Sequence, residues 1–379
     1  MKCVFISNYY NHHQSEFAEE MYRKCNRDFH FIMTTDIPEA RKKMGYLSEN
    51  FPSFVINLFS QPEKRAVAQE LINTAEVVII GNAPDCFVID RLKSGGLTFR
   101  CQERIYKQKP SAFRLIKSYF KHIKKNRRFK NLYLLCCSAY TYPDYLKTHT
   151  FVGKAYKWGY FPAVKNYDDI EKLIGQKKSN SLLWVARFLE WKHPEIPLYV
   201  AQRLKQDGYD FELKMIGRGE LEENIQKAII ENGLQDCVHL MGTMTPAEVR
   251  ENMEQAEMFL FTSDRNEGWG AVLNESMNSA CAVVANEEIG SVPYLLKDGE
   301  NGFIYRGGNL EDFYGKVKYL FDHPQERMEL SRKAYQTIQT VWNAKVASER
   351  FLALAESLLD NTSSVDFREG PCSNAAYRK

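Results

Sequence analysis

The sequence predicts an α/β protein built on parallel sheets and divided into two domains. Two observations carry this. Short apolar, β-branched runs alternate with segments of helical period, which is the pattern of βα units. The 379 residues also exceed the ~250–300 that one hydrophobic core usually serves.

In chain order, CVFIS (3–7) is the first strand, followed by a helix from about Ser15. FHFIMTT, SFVINLF and EVVIIG follow at strand length, and NLYLLCCS (131–138) closes the series. YFPAVKNYDDIEKLIGQKKSN (160–180) is polar and turn-prone and reads as the link between domains. The second half is more regular, with strands at 181–186, 211–216, 237–242, 258–263, 281–286 and 302–305. PEIPLYVAQRLKQ, ELEENIQKAIIENG and PAEVRENMEQA lie between them with apolar residues three and four apart. Asn232-Gly233 supplies a left-handed helix end, and Thr245-Pro246 opens the next helix. The domains expected are 1–165, joined by a returning helix at 344–360, and 166–343. The aperiodic tail 361–379 is expected to be mobile.

Composition excludes more than it selects. With 44% apolar and 26% charged residues and a formal charge of +3, the chain is an ordinary globular one. Nine cysteines without CxxC spacing point to a reducing compartment. The N-terminal apolar stretch is too short for a signal-peptide core, and no window approaches the ~18–20 apolar residues of a membrane span. The expected location is therefore the cytoplasm, with the inner membrane face open as a peripheral site. Between about 100 and 130, twelve Lys and Arg face a single acid, Glu103, with aromatics interleaved. This segment suits an anionic leaflet or acceptor, or else an amphipathic helix with its charged face in water. No nucleic-acid recognition fold accompanies it.

The segment FTSDRNEGWGAVLNESMNSACAVVAN (261–286) carries the site. A strand ends near Ser263, a loop holds Glu267, and Gly268-Trp269-Gly270-Ala271 turns into a helix containing Glu275. Ligands of open α/β sheets sit at the carboxyl ends of the strands, and backbone N–H groups at such a turn suit a diphosphate. The order of strand, loop Glu, Gly-aromatic-Gly, helix Glu and second strand resembles the Glu-x7-Glu signature of glycosyltransferase family 4. That family is retaining and has the GT-B fold, two Rossmann-like domains facing each other across a cleft.

Further segments resemble the family in order. Arg187 in WVAR, with Lys192 five residues on, matches its pyrophosphate-holding Arg and Lys. MIGRGE, with Gly217, matches its glycine turn, and VHLMGTM, ending at Met244, its base-contacting backbone. Trp342 and the helix after it match the family's last helix. The resemblance covers nearly all of 181–359. It implies a nucleotide-diphosphate sugar as donor, a glycan or lipid-linked glycan as acceptor, and retention by front-face attack. Physically, Arg187 and Lys192 can neutralise a diphosphate, Glu275 suits ribose hydroxyls, and Glu267 can bind the sugar. No Asp-x-Asp motif is present, so no metal or other cofactor is expected.

The chain departs from the family at Ala280 and Ala282, where Gly and Pro are usual, leaving Asn278 or Ser279 to cap the helix. Trp269 replaces the usual Phe and is expected to reshape the sugar pocket. The first half resembles the family only in plan. His12, His13 and Gln14, in the loop after the first strand, are candidates for acceptor or diphosphate contacts, with Asn82, Asp85, Glu103 and Arg104 behind them. Competing readings are a sugar-nucleotide epimerase, a phosphorylase, a sugar-binding or scaffold subunit without turnover, and an exported two-domain binding protein. A phosphorylase lacks its lysine context here, and an exported protein lacks its signal.

Overall fold

The computed structural model describes residues 1–38, 51–108, 110–360, 362 and 365–376. The chain forms two compact units, Met1–Ala163 with Trp342–Lys379, and Val164–Val341.

The first unit is a seven-stranded sheet of β1 (Cys3–Ser7), β2 (Phe29–Met33), β3 (Val55–Asn57), β4 (Val77–Ile80), β5 (Thr98–Gln102), β6 (Leu132–Cys136) and β7 (Ala155–Lys157). Its order is β3-β2-β1-β4-β5-β6-β7, and every pairing is parallel. Helices cover both faces of such a sheet, so β1 and β4 are buried throughout and are apolar but for Ser7. β5 escapes that pattern because it carries Arg100 and Gln102. Arg100 is nevertheless buried, with Nη1 2.8 Å from Asp85 Oδ1.

Asn11 caps the first helix, His12–Lys24, by accepting the N–H of His13 at 3.0 Å. His12, His13 and Gln14 therefore form its first turn and do not lie in a loop, as the sequence suggested; Asn is among the best cap residues. The last helix, Ala344–Leu359, belongs to this unit. Its Phe351 is fully buried, with ring centroids 5.0 Å from Phe99, 5.8 Å from Trp158 and 6.2 Å from Phe17.

The tail corrects another expectation. Cys372 N–H donates to Lys157 O, Lys157 N–H to Ser373 O, and Ala375 N–H to Ala155 O. Residues 372–375 thus run along β7 and cover the open edge of the sheet, and Cys372 and Ser373 are buried. Tail residues 361, 363, 364 and 377–379 lie outside the described residues, as does Lys109 of the basic segment.

The second unit is a six-stranded sheet of β8 (Lys178–Val185), β9 (Glu212–Ile216), β10 (Val238–Gly242), β11 (Ala256–Phe261), β12 (Ala282–Asn286) and β13 (Phe303–Tyr305). The order is β10-β9-β8-β11-β12-β13, again all parallel. The expected caps are in place. Gly233 has φ 61°, and Thr245 forms a capping box with Glu248 ahead of Pro246. The segment read as a link is partly structured, holding the helix Ile170–Gly175 and the start of β8.

After the helix Val272–Asn278, Ala280 itself adopts φ 50°. Cys281 N–H reaches Ser276 O and Ala280 N–H reaches Met277 O, a Schellman ending with alanine in the glycine position. Burial of the Ala280 methyl offsets part of the cost of that backbone, about 1–2 kcal/mol.

Each unit also has a buried cation at the amino edge of its sheet that gathers backbone carbonyls. Arg91 donates to the carbonyls of Ile72, Ala75, Glu76 and Leu97. Burial pulls its guanidinium down to about 10. Lys177 Nζ lies within 3.1 Å of the carbonyls of Met253, Glu254, Ala256 and Ser279, its three N–H donors shared among them. Both satisfy carbonyls that helix ends leave open.

Candidate active site

In each sheet the strand order reverses once, and the loops on either side of that reversal part at the carboxyl edge. In the second unit the reversal lies between β8 and β11, so the crevice is bounded by the loops after Val185 and Phe261. These loops carry Arg187, Lys192 and Glu267. The structure brings Lys192 and Glu267 into direct contact, Nζ to Oε2, with each side chain 12% exposed.

The two loops are stitched together beneath that pair. Asp264 N–H donates to Trp191 O at 3.0 Å, Thr262 Oγ1 donates to Lys192 O at 2.7 Å, and Trp184 Nε1 donates to Thr262 Oγ1 at 2.9 Å. Lys192 Nζ lies 4.2 Å from the Trp191 ring centroid. Asp264 also faces His193, whose imidazole is held above its ordinary value by Glu195 and, further off, Asp264. Sequence reasoning missed Trp191, His193 and Asp264. Asp264 is distant along the chain from Trp191 and His193, and no spacing signals that they meet.

Arg187 is exposed, and its guanidinium has no hydrogen bond or ion pair among the described residues. It stands at the end of β8, where the neighbouring turn comes very close. Gly217 has φ 137°, and a β-carbon there would lie 1.9 Å from Ala186 O. Only glycine lets the loops after β8 and β9 approach this far. Gly217 N–H in turn donates to Gly242 O, which brings in the loop after β10 with Met244. Met244 accepts a contact from Asn252 Nδ2 at 3.4 Å.

Gly270, at φ 84°, passes over the ring of Phe261 and beside Glu267, where a β-carbon would lie 2.5 Å from Phe261 Cζ. Gly268 and Trp269 are buried, and Ala271 begins the helix. The Trp269 indole is turned inward, Nε1 donating to Asn274 Oδ1 at 2.9 Å. Its side chain is thus packed in the core of the second unit.

Glu275 sits in the first turn of that helix. No side chain is hydrogen-bonded to its carboxylate among the described residues. Burial raises its pKa, and Arg250 pulls it partly back. Arg250 also binds Glu275 O, Asn278 Oδ1 and Ser279 Oγ, which fixes the helix end.

In the first unit the reversal lies between β1 and β4. His13 stacks on Tyr160 at 5.6 Å, and Tyr160 donates to Glu103 Oε1 at 2.7 Å. His12 adjoins His13, ring to ring at 3.9 Å, and Gln14 is bonded to Asn11. The carboxyl edge therefore gathers His13 and Glu103 through Tyr160, which the sequence did not flag. Asn82 is exposed. Asp85 is committed to Arg100 and Lys125, and Arg104 lies 3.9 Å from Asp144.

Residues 166–337 match the family model of the glycosyl transferases group 1. Among curated proteins, the amylovoran biosynthesis glycosyltransferase AmsK of Erwinia amylovora is 28% identical over 182 residues, 47% of this chain and 44% of its own. The N-acetylgalactosamine-N,N'-diacetylbacillosaminyl-diphospho-undecaprenol 4-alpha-N-acetylgalactosaminyltransferase of Campylobacter jejuni is 27% identical over 191 residues, 48% and 50%. The chain spans about half the length of these relatives.

Among solved structures, Anabaena Alr3699/HepE in complex with UDP superposes with a TM-score of 0.68 at 14% identity, covering 94% of this chain and all of that one. The lipopolysaccharide outer core galactosyltransferase WaaB gives 0.67 at 18%, covering 95% and 99%. The fold is GT-B. The two reversals of strand order are thus the two Rossmann-like carboxyl edges of a GT-B protein, and the group 1 match falls on the unit that holds Arg187, Lys192, Glu267 and Glu275.

Proposed function

We propose that this protein is a retaining glycosyltransferase of family 4. It would move a sugar from a UDP- or GDP-sugar to a glycan or lipid-linked glycan, in surface polysaccharide biosynthesis. The observation that carries this is the Lys192–Glu267 pair across the strand-order reversal, with exposed Arg187 just after β8 and Glu275 in the helix that follows the Glu267 loop. Two cations and two carboxylates on one crevice suit a donor that is itself half anion and half polyol. The UDP of the Anabaena complex and the polysaccharide and lipid-linked products named for the relatives support the same reading.

In this reading Arg187 and Lys192 hold the diphosphate, and backbone at Gly217, Met244 and 268–271 lines the nucleotide. Glu275 accepts the ribose hydroxyls, and Glu267 accepts sugar hydroxyls once the diphosphate engages Lys192. The acceptor oxygen attacks the anomeric carbon from the face the leaving group departs, and its proton passes to the leaving phosphate oxygen. Charge neutralisation by Arg187 and Lys192 lowers the cost of breaking the C–O bond without a metal ion. His13, Glu103 and Tyr160 form the candidate acceptor-side group. We propose the cytoplasm as the location, at the inner membrane face for a lipid-linked acceptor.

Calorimetric titration with UDP and GDP, alongside a transfer assay, tests the proposal. Arg187→Ala is expected to weaken nucleotide binding about tenfold or more, the scale of one charge-assisted hydrogen bond. Glu267→Ala should keep that binding and lose transfer, and EDTA should leave turnover intact. Turnover of a nucleotide sugar with no acceptor would favour the epimerase reading instead.

A further inference from the structure

We propose that the exposed face of the helix Ala112–His122 seats this protein on an anionic lipid leaflet. The amphipathicity of this helix is inverted relative to its own domain. The side chains it buries are polar, Ser118 and His122, followed by Asn126 in the π-turn Ile123–Arg127. His122 Nδ1 lies 3.2 Å from Asn126 Nδ2, and its ring stands edge-on to Tyr145 at 5.2 Å. Phe113, Ile116 and Phe120 point the other way and are 77%, 57% and 67% exposed.

At about 100° per residue these three side chains fall within a strip roughly 60° wide. One exposed apolar side chain needs no explanation; three on a single helix face mark an interaction surface. The bland reading, a charged face in water over an apolar face in the core, is therefore not what this fold does.

The charge beside the strip selects the partner. Lys117 and Lys121 flank it on the helix, and Lys124 and Arg127 follow in the π-turn. All four are exposed, and none has an ion pair among the described residues. Arg100 and Lys125 of the same segment are both engaged by Asp85 and are not among these four. Phenyl rings inserted below the headgroups, with ammonium groups level with the phosphates, is the arrangement of an interfacial amphipathic helix. The neighbouring loop extends the surface. Tyr119 meets His149 edge-on at 6.1 Å, and Val152 beyond it is 64% exposed. This inference does not depend on the donor reading, because its residues all belong to the first unit and none is among the proposed donor residues.

The test is sedimentation of the full chain with vesicles of phosphatidylcholine, alone or partly replaced by phosphatidylglycerol. Binding to the mixed vesicles is expected to be at least about tenfold stronger and to fall with salt, since each cation near a leaflet contributes about fivefold. Phe113→Ser with Phe120→Ser should abolish it while leaving the Tm and UDP binding unchanged. Lys117→Glu with Lys121→Glu should weaken it about tenfold or more. Equal sedimentation with both vesicle types, or with neither, overturns the proposal. A fall of several degrees in the Tm of the serine variant also overturns it, because the face would then be packed within the protein. Serine variants that bind as the parent does, with binding competed by an RNA oligonucleotide, would mark a polyanion site instead.

Discussion

At the scale of the residue, Glu275 joins two opposed demands. Its carboxyl is raised by burial, so the folded protein holds a proton there at pH values where the unfolded chain has lost it. The stability Glu275 contributes is full below the ordinary carboxylate range and is lost as pH rises through the raised value. Glu275→Gln is therefore expected to leave the Tm at pH 7 unchanged or higher. The same change should weaken UDP binding about tenfold to a hundredfold, because a charged acceptor of the ribose hydroxyls is replaced by a neutral one. Thermal unfolding and calorimetry on one preparation check both arms. A loss of stability with undiminished affinity would remove Glu275 from the donor site. That Glu275 and Glu267 mattered was legible in the sequence from their spacing and context. That Lys192 meets Glu267 was not, because the two residues are 75 apart along the chain, in loops after strands that only the sheet makes neighbours.

Elements divide their labour between the two edges of each sheet. The carboxyl edges hold the candidate chemistry, and the amino edges hold Arg91 and Lys177, each gathering four backbone carbonyls. Arg91→Met and Lys177→Met are each expected to destabilise by about 3 kcal/mol, since buried acceptors lose their donor. UDP affinity of the folded fraction should stay as in the parent. Denaturant unfolding with a parallel UDP titration measures both. A charged residue in a short helix, as Arg91 is, or just ahead of a strand, as Lys177 is, reads in sequence as a solvated one, so neither role was legible. Helix starts were read more faithfully where the cap chemistry was local, as at Thr245, than at Asn11, where a polar run hid the first turn.

For the whole molecule, the division of the chain makes unequal demands on its pieces. Val164–Val341 is continuous and encloses its own sheet and core. Expressed alone, it is expected to unfold cooperatively and to bind UDP within about threefold of the full chain, a difference of under 1 kcal/mol. Residues 1–163 alone should not reach a cooperative fold, because the helix that buries Phe351 against Phe17, Phe99 and Trp158 comes from beyond residue 341. Circular dichroism melts of the two fragments decide the point, and a cooperative melt of 1–163 would refute it.

The sequence by itself determined the parallel α/β class, the βα alternation, the caps and the two-glutamate segment, because each rests on spacing along a few tens of residues. Only the tertiary structure decided which loops share a crevice, that Trp269 turns inward, that the tail lies along β7, and that the Ala112–His122 helix faces its apolar side outward. These depend on what stands opposite a side chain in space. A hydrophobic period states that a helix has two faces without stating which of them the protein covers.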